Sequence, residues 1–229
     1  VSQSMSEAAT KASRETGIRR LDFIPMSADE ADWTKPADTE MEAWERADYL
    51  LDLCAVDELP EELPLFYALG LHWGEVMNGG HAQFLANLKT RNRPWVLSAC
   101  VEAAEKMYPP AVAGCSRTIV KWVEQNPEDY EELIGFEAGH SEVLDQLDDL
   151  VTDADVSSGQ YLLGLISNSS DPLEAKFVRD VLNGAASDNS HLNAMRAIWL
   201  MRSGLVRVLS DEEVDDILDD VKSKQSQNE

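Results

Sequence analysis

Apolar positions along this chain recur mostly at helical intervals. After residue 38 they return every three or four positions, which is the period of an amphipathic helix. Thr39 and Glu42 have the spacing of a capping box and predict one helix start, and Pro60 followed by two glutamates predicts another. The one run that alternates like a strand, 206–209, is interpreted as too short to form one. The pattern predicts an all-α protein, a single compact multi-helix domain of about nine or ten helices.

Glycine, proline and capping residues place the predicted boundaries. Gly79-Gly80 ends the helix that begins near Pro60, and a short helix follows from about residue 81 to 88. Residues 1–35 lack periodicity and predict a mobile N-terminal tail. Residues 36–165 are predicted as the main helical domain, and 166–229 as a helical extension packed on the same body. Further helices are predicted near 128–135, 140–151, 172–183, 189–203 and 210–221.

Composition narrows the class of protein. The 229 residues are 44% apolar, which is enough for a packed core. No apolar run approaches the roughly 18–20 residues that span a membrane, and the first twenty residues lack the apolar stretch of a secretory signal. The three cysteines follow no metal or redox spacing and predict buried, reduced thiols. We expect a cytoplasmic protein with no membrane contact.

Acidity is concentrated in blocks. The formal net charge is −24, and residues 122–175 contain fourteen Asp or Glu and no Lys or Arg, whereas 68–121 and 176–209 each sum to +3. Like charges repel, so direct binding to nucleic acid or to an anionic membrane is excluded, and basic proteins are favoured as partners. Adaptation to a salty habitat is the alternative, and it predicts acidity spread over the whole surface.

On the predicted helices, many of these carboxylates lie three or four residues apart, with β-carbons about 5–6 Å apart. Rows at this spacing resemble the regular negative charge of duplex DNA. Val214, Ile217, Leu218 and Val221 would dock the last helix with its carboxylates outward. The predicted partner-binding residues are Glu128, Glu131, Glu132, Glu142, Asp145, Asp148, Asp149, Asp153, Asp155, Glu212, Asp216 and Asp219.

The chain carries no recognisable catalytic or metal motif. No P-loop, dinucleotide fingerprint, nucleophile elbow or zinc-protease pair of histidines occurs. His140 with Glu142 would need distant ligands to hold a metal. The run from Asp153 to Gly164 is not a calcium loop, because Gly159 comes one position late and Gly164 stands where the final glutamate belongs. We therefore predict no enzyme activity, no metal and no cofactor.

The segment 71–87 resembles the hallmark of a bacterial all-α domain of unknown function that includes acidic DNA-mimic proteins. The likeness extends over roughly residues 40–155. Two positions depart from the pattern: His81 stands where an aromatic is usual, and Leu85 replaces a second Phe. The matching residues are Glu75, Asn78, Gly79, Gly80, Gln83, Phe84 and Asn87. These motif residues also have a structural interpretation, since their amides and glycines suit a tight junction between two helices.

The resemblance implies a binding function. One member of that family is a dimer that imitates the charge of duplex DNA and sequesters a DNA-binding protein. By analogy we expect a homodimer that binds a basic DNA-binding protein, either a transcriptional regulator or a nucleoid protein. Two alternatives remain: an acidic helical helper or immunity-like protein whose charge serves solubility or high salt, and an enzyme that uses the junction between Glu75 and Asn87.

Overall fold

A computed structural model describes residues 21–133, 141–167, 169–184 and 190–228. The expected all-α class is confirmed, since the described residues form ten α-helices, within the predicted nine or ten. The helices are α1 (Pro36–Leu53), α2 (Glu62–Thr90), α3 (Trp95–Met107), α4 (Pro110–Gln125), α5 (Pro127–Glu132), α6 (Glu142–Ser157), α7 (Gly159–Ile166), α8 (Pro172–Leu182), α9 (His191–Ser203) and α10 (Asp211–Asn228).

A small parallel sheet joins two distant parts of the chain. Strand β1 (Ile24–Ser27) pairs in register with β2 (Val206–Leu209), so the interpretation of 206–209 as too short for a strand was wrong. Four residues suffice because α1 and α10 both pack against β1, all of whose residues are buried. This strand also lies in the stretch 1–35 that was expected to be a mobile tail. Residues 1–20 lie outside the described part.

The start of α1 also differs from the prediction. The helix begins at Pro36, whose fixed backbone angle suits a first turn, so the capping box predicted at Thr39 was wrong. Thr39 is buried inside the helix, and its hydroxyl donates a hydrogen bond to the Asp32 carbonyl at 3.0 Å.

The chain forms two compact units. One comprises Val1–Pro64 with Leu200–Glu229, and it contains the sheet, α1 and α10. The other comprises Leu65–Trp199 and contains most of α2, the helices α3 to α8 and most of α9. The boundary predicted between residues 165 and 166 falls inside α7. In the described ranges, no helix is both long and apolar enough to cross a membrane.

Helix α2, most of which belongs to the second unit, has a sharp break in its middle. Residues up to Asn78 form the first half and residues from His81 the second, with non-helical backbone at Gly79 and Gly80. The glycine stop and the short helix after it were therefore predicted correctly. Both halves bury large side chains, including Phe66, Leu69, Phe84 and Leu85.

Candidate functional site

The predicted motif residues form a hydrogen-bonded cluster that joins the two halves of α2. The Glu75 carboxylate, in the first half, accepts hydrogen bonds from Gln83 Nε2 and from Asn87 Nδ2, both at 2.8 Å. Arg91 lies 3.8 Å from its other oxygen. One carboxylate thus connects the two halves, whereas the structural interpretation of the motif expected these amides to bond the unpaired backbone groups at the junction.

A second chain of polar groups crosses the same break. Nε2 of His72 and Nε2 of His81 are 3.2 Å apart, and both side chains are buried. Nδ1 of His81 bonds Asp148 of α6, and the His81 backbone N–H donates to the same carboxylate oxygen at 2.8 Å. Asp148 therefore caps the second half of α2 from another helix. A carboxylate is favoured there because a helix start has unpaired N–H groups and a partial positive charge.

Both glycines of the break are required by these two networks. Gly80 has φ +77°, a conformation that side chains with a β-carbon disfavour, and a β-carbon there would overlap Asp148 Oδ2. A β-carbon on Gly79 would overlap Gln83 Oε1, a buried oxygen that has no hydrogen-bond partner. Any larger residue at either position would displace a side chain that holds the break together.

Asp155 repeats the role of Asp148 at the other end of α6. Its carboxylate accepts hydrogen bonds from the Leu192 backbone N–H at 2.8 Å and from Ser190 Oγ at 3.1 Å, at the start of α9. The two aspartates are seven residues apart and so lie on one side of α6. Both were predicted as partner-binding residues, and the structure places both in internal hydrogen bonds.

The remaining predicted carboxylates of α6 form an exposed face, named the α6 acidic face, which consists of Glu142, Asp145, Asp149 and Asp153. Successive members are three or four residues apart, so they lie on one stripe of the helix. The opposite stripe, which includes Leu144, Leu147 and Val151, is buried. Packing against α4 keeps this apolar stripe inward.

The shorter acidic cluster on α5 lies beside a positive charge that comes from elsewhere in the chain. Glu128, Glu131 and Glu132 are exposed. However, Nζ of Lys89 donates to the backbone carbonyls of Tyr130 and Glu131 at 2.8 and 2.9 Å, at the C-terminal end of α5. A cation is favoured at a helix C-terminus, and this one comes from a distant part of the chain.

The last helix carries the third predicted row. Glu212, Asp216 and Asp219 are exposed, and Val214 and Leu218 dock the helix as predicted. A capping box begins this helix: Ser210 N–H donates to Glu213 Oε2 at 2.9 Å, and Glu213 N–H donates back to Ser210 Oγ at 3.3 Å. The hydrogen bonds that Glu213 accepts from Ser210 lower the pKa of Glu213. Lys222 lies 3.5 Å from Asp219 and so offsets the charge at one end of the row.

Burial sets the protonation of the three cysteines and of His72. Burial raises the pKa of Cys54 to about 11 and raises the pKa values of Cys100 and Cys115, so these thiols stay protonated at neutral pH. Burial, together with the nearby His81 and Arg196, holds the pKa of His72 well below its ordinary value. Among the described residues no group of three His, Cys, Asp or Glu side chains could hold a metal. His140 lies outside them.

In the sequence, Asp148 and Asp155 were not distinguished from the exposed carboxylates. His72 was likewise not distinguished from other buried histidines. A period of three to four residues shows which side of α6 is apolar, and both aspartates border that side. Their position at the edge of the buried stripe was the available signal. The helices whose ends they cap are distant in sequence, so the pairing itself could not be read.

Comparison with known proteins gives one match. A model of the DMP19 family, described as DMP19-like protein, matches residues 57–180, which is more than half of the chain. Neither the curated proteins nor the solved structures contain a significant match.

Proposed function

The chain belongs to the DMP19-like protein family, and from this premise we propose that it imitates duplex DNA and sequesters a basic DNA-binding protein. The family is one of DNA mimics and is not an enzyme family. The observation that carries the proposal is the α6 acidic face, four exposed carboxylates on one stripe of a helix that has no Lys or Arg.

The charge density of this face suits the proposal. From Glu142 to Asp153 the helix rises by about 16 Å, at about 1.5 Å per residue. One strand of duplex DNA places about five phosphates over that length, at about 3.4 Å each. Four carboxylates over the same length approach this density, and the buried opposite stripe of α6 holds them on a fixed helix.

The acidic rows of α5 and α10 extend the proposal. Glu128, Glu131 and Glu132 belong to the same compact unit as α6, whereas Glu212 and Asp216 belong to the other unit. We propose that each row contributes independently to partner affinity. The partner would be a regulator or nucleoid protein, the location cytoplasmic, and the binding form a homodimer.

Charge for solubility is the second candidate, and α1 favours it. Asp38, Glu42 and Glu45 are also exposed on one helix, far from the stretch 122–175 in sequence. Acidity on this face is what adaptation to a salty habitat predicts. The face therefore offers a control in which the same charge is removed elsewhere.

The test is capture of DNA-binding proteins by three versions of the immobilised full chain. The first is the natural sequence. The second removes three charges from the α6 acidic face (Glu142→Gln, Asp149→Asn, Asp153→Asn), and the third removes three from α1 (Asp38→Asn, Glu42→Gln, Glu45→Gln). Asp148 and Asp155 are left unchanged because they cap other helices.

Mimicry predicts that a basic DNA-binding protein is retained at about 50 mM salt, is lost at about 200 mM, and is displaced by duplex DNA. The α6 variant should lose between about threefold and about 150-fold in affinity, since three exposed charge pairs contribute about 0.6–3 kcal/mol together. The α1 variant should keep its affinity. Equal losses in the two variants would favour a nonspecific effect of net charge and contradict the proposal.

A further inference from the structure

Asp148 connects the acidic helix to the break in α2. It lies on α6 directly beside Asp149 of the acidic face, and its carboxylate receives both the backbone N–H and the imidazole of His81. His81 has no exposed surface, whereas the Asp148 side chain is 31% exposed. The position of α6 at this point therefore depends on a fully buried histidine that belongs to another helix.

The hydrogen bond between His72 and His81 limits how many protons the two rings can hold together. At 3.2 Å, one hydrogen between the two Nε2 atoms makes a hydrogen bond. If His81 is neutral, its Nδ1–H faces Asp148 and His72 donates to its Nε2. If His81 carries an extra proton, it donates to both Asp148 and a neutral His72. A proton on His72 as well would set two N–H donors against each other, with no acceptor between them.

The surroundings of His72 also oppose its charged form. The ring of Phe84 packs 4.8 Å from its centroid, so little water reaches it. The charged groups that act on His72 are His81 in the second half of α2 and Arg196 in α9, both positive when protonated, and Asp148 of α6 reaches only His81. These contacts are the cause of the lowered pKa of His72.

We propose that His72 and His81 are positioning residues for α6: through Asp148 they hold this helix and its acidic face in place as long as His72 is neutral, and acid loosens the helix. The effect on a partner rests on the function proposed above. The hold itself concerns only this chain and can be measured without a partner.

The expected size follows from proton linkage. When α6 is released and His72 reaches water, its pKa returns to about 6.5, so the released state takes up a proton that the held state refuses. The contribution of neutral His72 to the stability of the held α6 is fully present above about pH 6.5 and is lost as the pH falls below this value. Between about pH 7.5 and 5.5 the opening of α6 should rise by up to about tenfold through His72 alone.

The test is amide hydrogen exchange of the full chain at these two pH values, corrected for the intrinsic rate. The matched variant is His72→Gln, whose amide is never charged in this range and can bond His81 in either proton state. We expect opening of α6 and of the second half of α2 to rise about tenfold more in the natural protein than in His72→Gln. Equal pH dependence in the two proteins would overturn the proposal.

Two changes at Asp148 test the connection to α6. Asp148→Asn keeps an oxygen that accepts from both His81 N–H groups, whereas Asp148→Leu removes the acceptor. Amide exchange in α6 should be slowest in the natural protein, faster in Asp148→Asn and fastest in Asp148→Leu. The rate in Asp148→Asn should be nearer to that of the natural protein. Identical exchange in all three would contradict the connection. If Leu prevents folding, the comparison between the natural protein and His72→Gln decides.

The outcome of the exchange experiment is independent of the outcome of the capture experiment that tests the proposed function. Exchange of α6 can follow His72 as expected even if the α6 charge variant captures partners normally, and mimicry alone is then wrong. Conversely, partner capture can depend on the α6 acidic face while exchange ignores His72. In that case only the positioning role is wrong.

Discussion

Asp148 and Asp149 are neighbours in the sequence and have different surroundings. Asp149 points outward with the α6 acidic face, and Asp148 caps the second half of α2. Both are aspartates of one helix, and the helical period shows only that Asp148 borders the apolar side; it does not show which groups Asp148 bonds. The difference arises from the glycine break, which leaves the His81 N–H without a helical partner and brings it beside α6.

The motif residues are a contrasting case, because their structural role could be read from the sequence. Gly79-Gly80 predicted a sharp junction, and amides at positions 83 and 87 were expected to bond the groups left unpaired there. The junction is confirmed, but the expected partners of the amides were wrong, because the described contacts show both amides donating to the Glu75 carboxylate.

Replacing Gly80 by Ala should destabilise the protein by about 2 kcal/mol or more. The positive φ alone costs about 1–2 kcal/mol with a β-carbon, and the β-carbon also displaces Asp148. The measurement is urea unfolding at neutral pH. Gly74→Ala is the control in the same helix: it is exposed with open space around it, so the change should be neutral or stabilising by up to about 1 kcal/mol. Similar losses for both would refute this view of the break.

Replacing Glu75 by Ala should cost about 1–3 kcal/mol in the same assay, because it leaves the buried Gln83 amide without its acceptor. The control is Glu102→Ala, which removes an exposed carboxylate paired with Lys106 on α3. Exposed pairs of this kind contribute less than about 1 kcal/mol. A Glu75 variant as stable as the Glu102 variant would show that the cluster does not hold the two halves of α2.

At the scale of elements, α6 has three sides with three roles. Leu144, Leu147 and Val151 pack inward, Asp148 and Asp155 cap other helices at the border, and the acidic face points outward. Helical periodicity predicted the inward side and the outward side. The border role depends on the starts of the second half of α2 and of α9, which only the tertiary structure brings to α6.

This division predicts different costs for two nearby aspartates. Asp155→Ala should destabilise by about 0.5–2 kcal/mol because α9 loses its cap. Asp153→Ala should change stability by less than about 0.5 kcal/mol, since it removes one of several repelling surface charges. Urea unfolding of both variants measures the difference. Equal costs would contradict the assignment of Asp155 as a cap.

The strands show where local patterns fail. β1 and β2 are four residues each and lie at opposite ends of the described sequence. Neither segment is long enough to predict a strand by itself, and their pairing depends on α1 and α10 packing on β1. Most of the helices, by contrast, carry a periodic signal of their own, so the all-α class was accessible from the sequence, although α7 was not among the predicted helices.

For the whole molecule, the distribution of charge matters more than its total. A net charge of −24 fits both solubility and mimicry. In the structure Asp148 and Asp155 accept internal hydrogen bonds, Lys89 lies at the end of α5, and four carboxylates form a continuous exposed row on α6. Family membership supports using that row as an imitation of DNA, and this use is the central claim.

Competition with duplex DNA tests this claim most directly. The protein captured by the natural chain is mixed with labelled duplex DNA, and the full chain is titrated in at constant salt. Mimicry predicts that the chain displaces the DNA completely, and that the α6 charge variant needs about tenfold more protein while the α1 variant matches the natural chain. A ternary complex that retains the DNA, or equal displacement by all three proteins, would contradict the account.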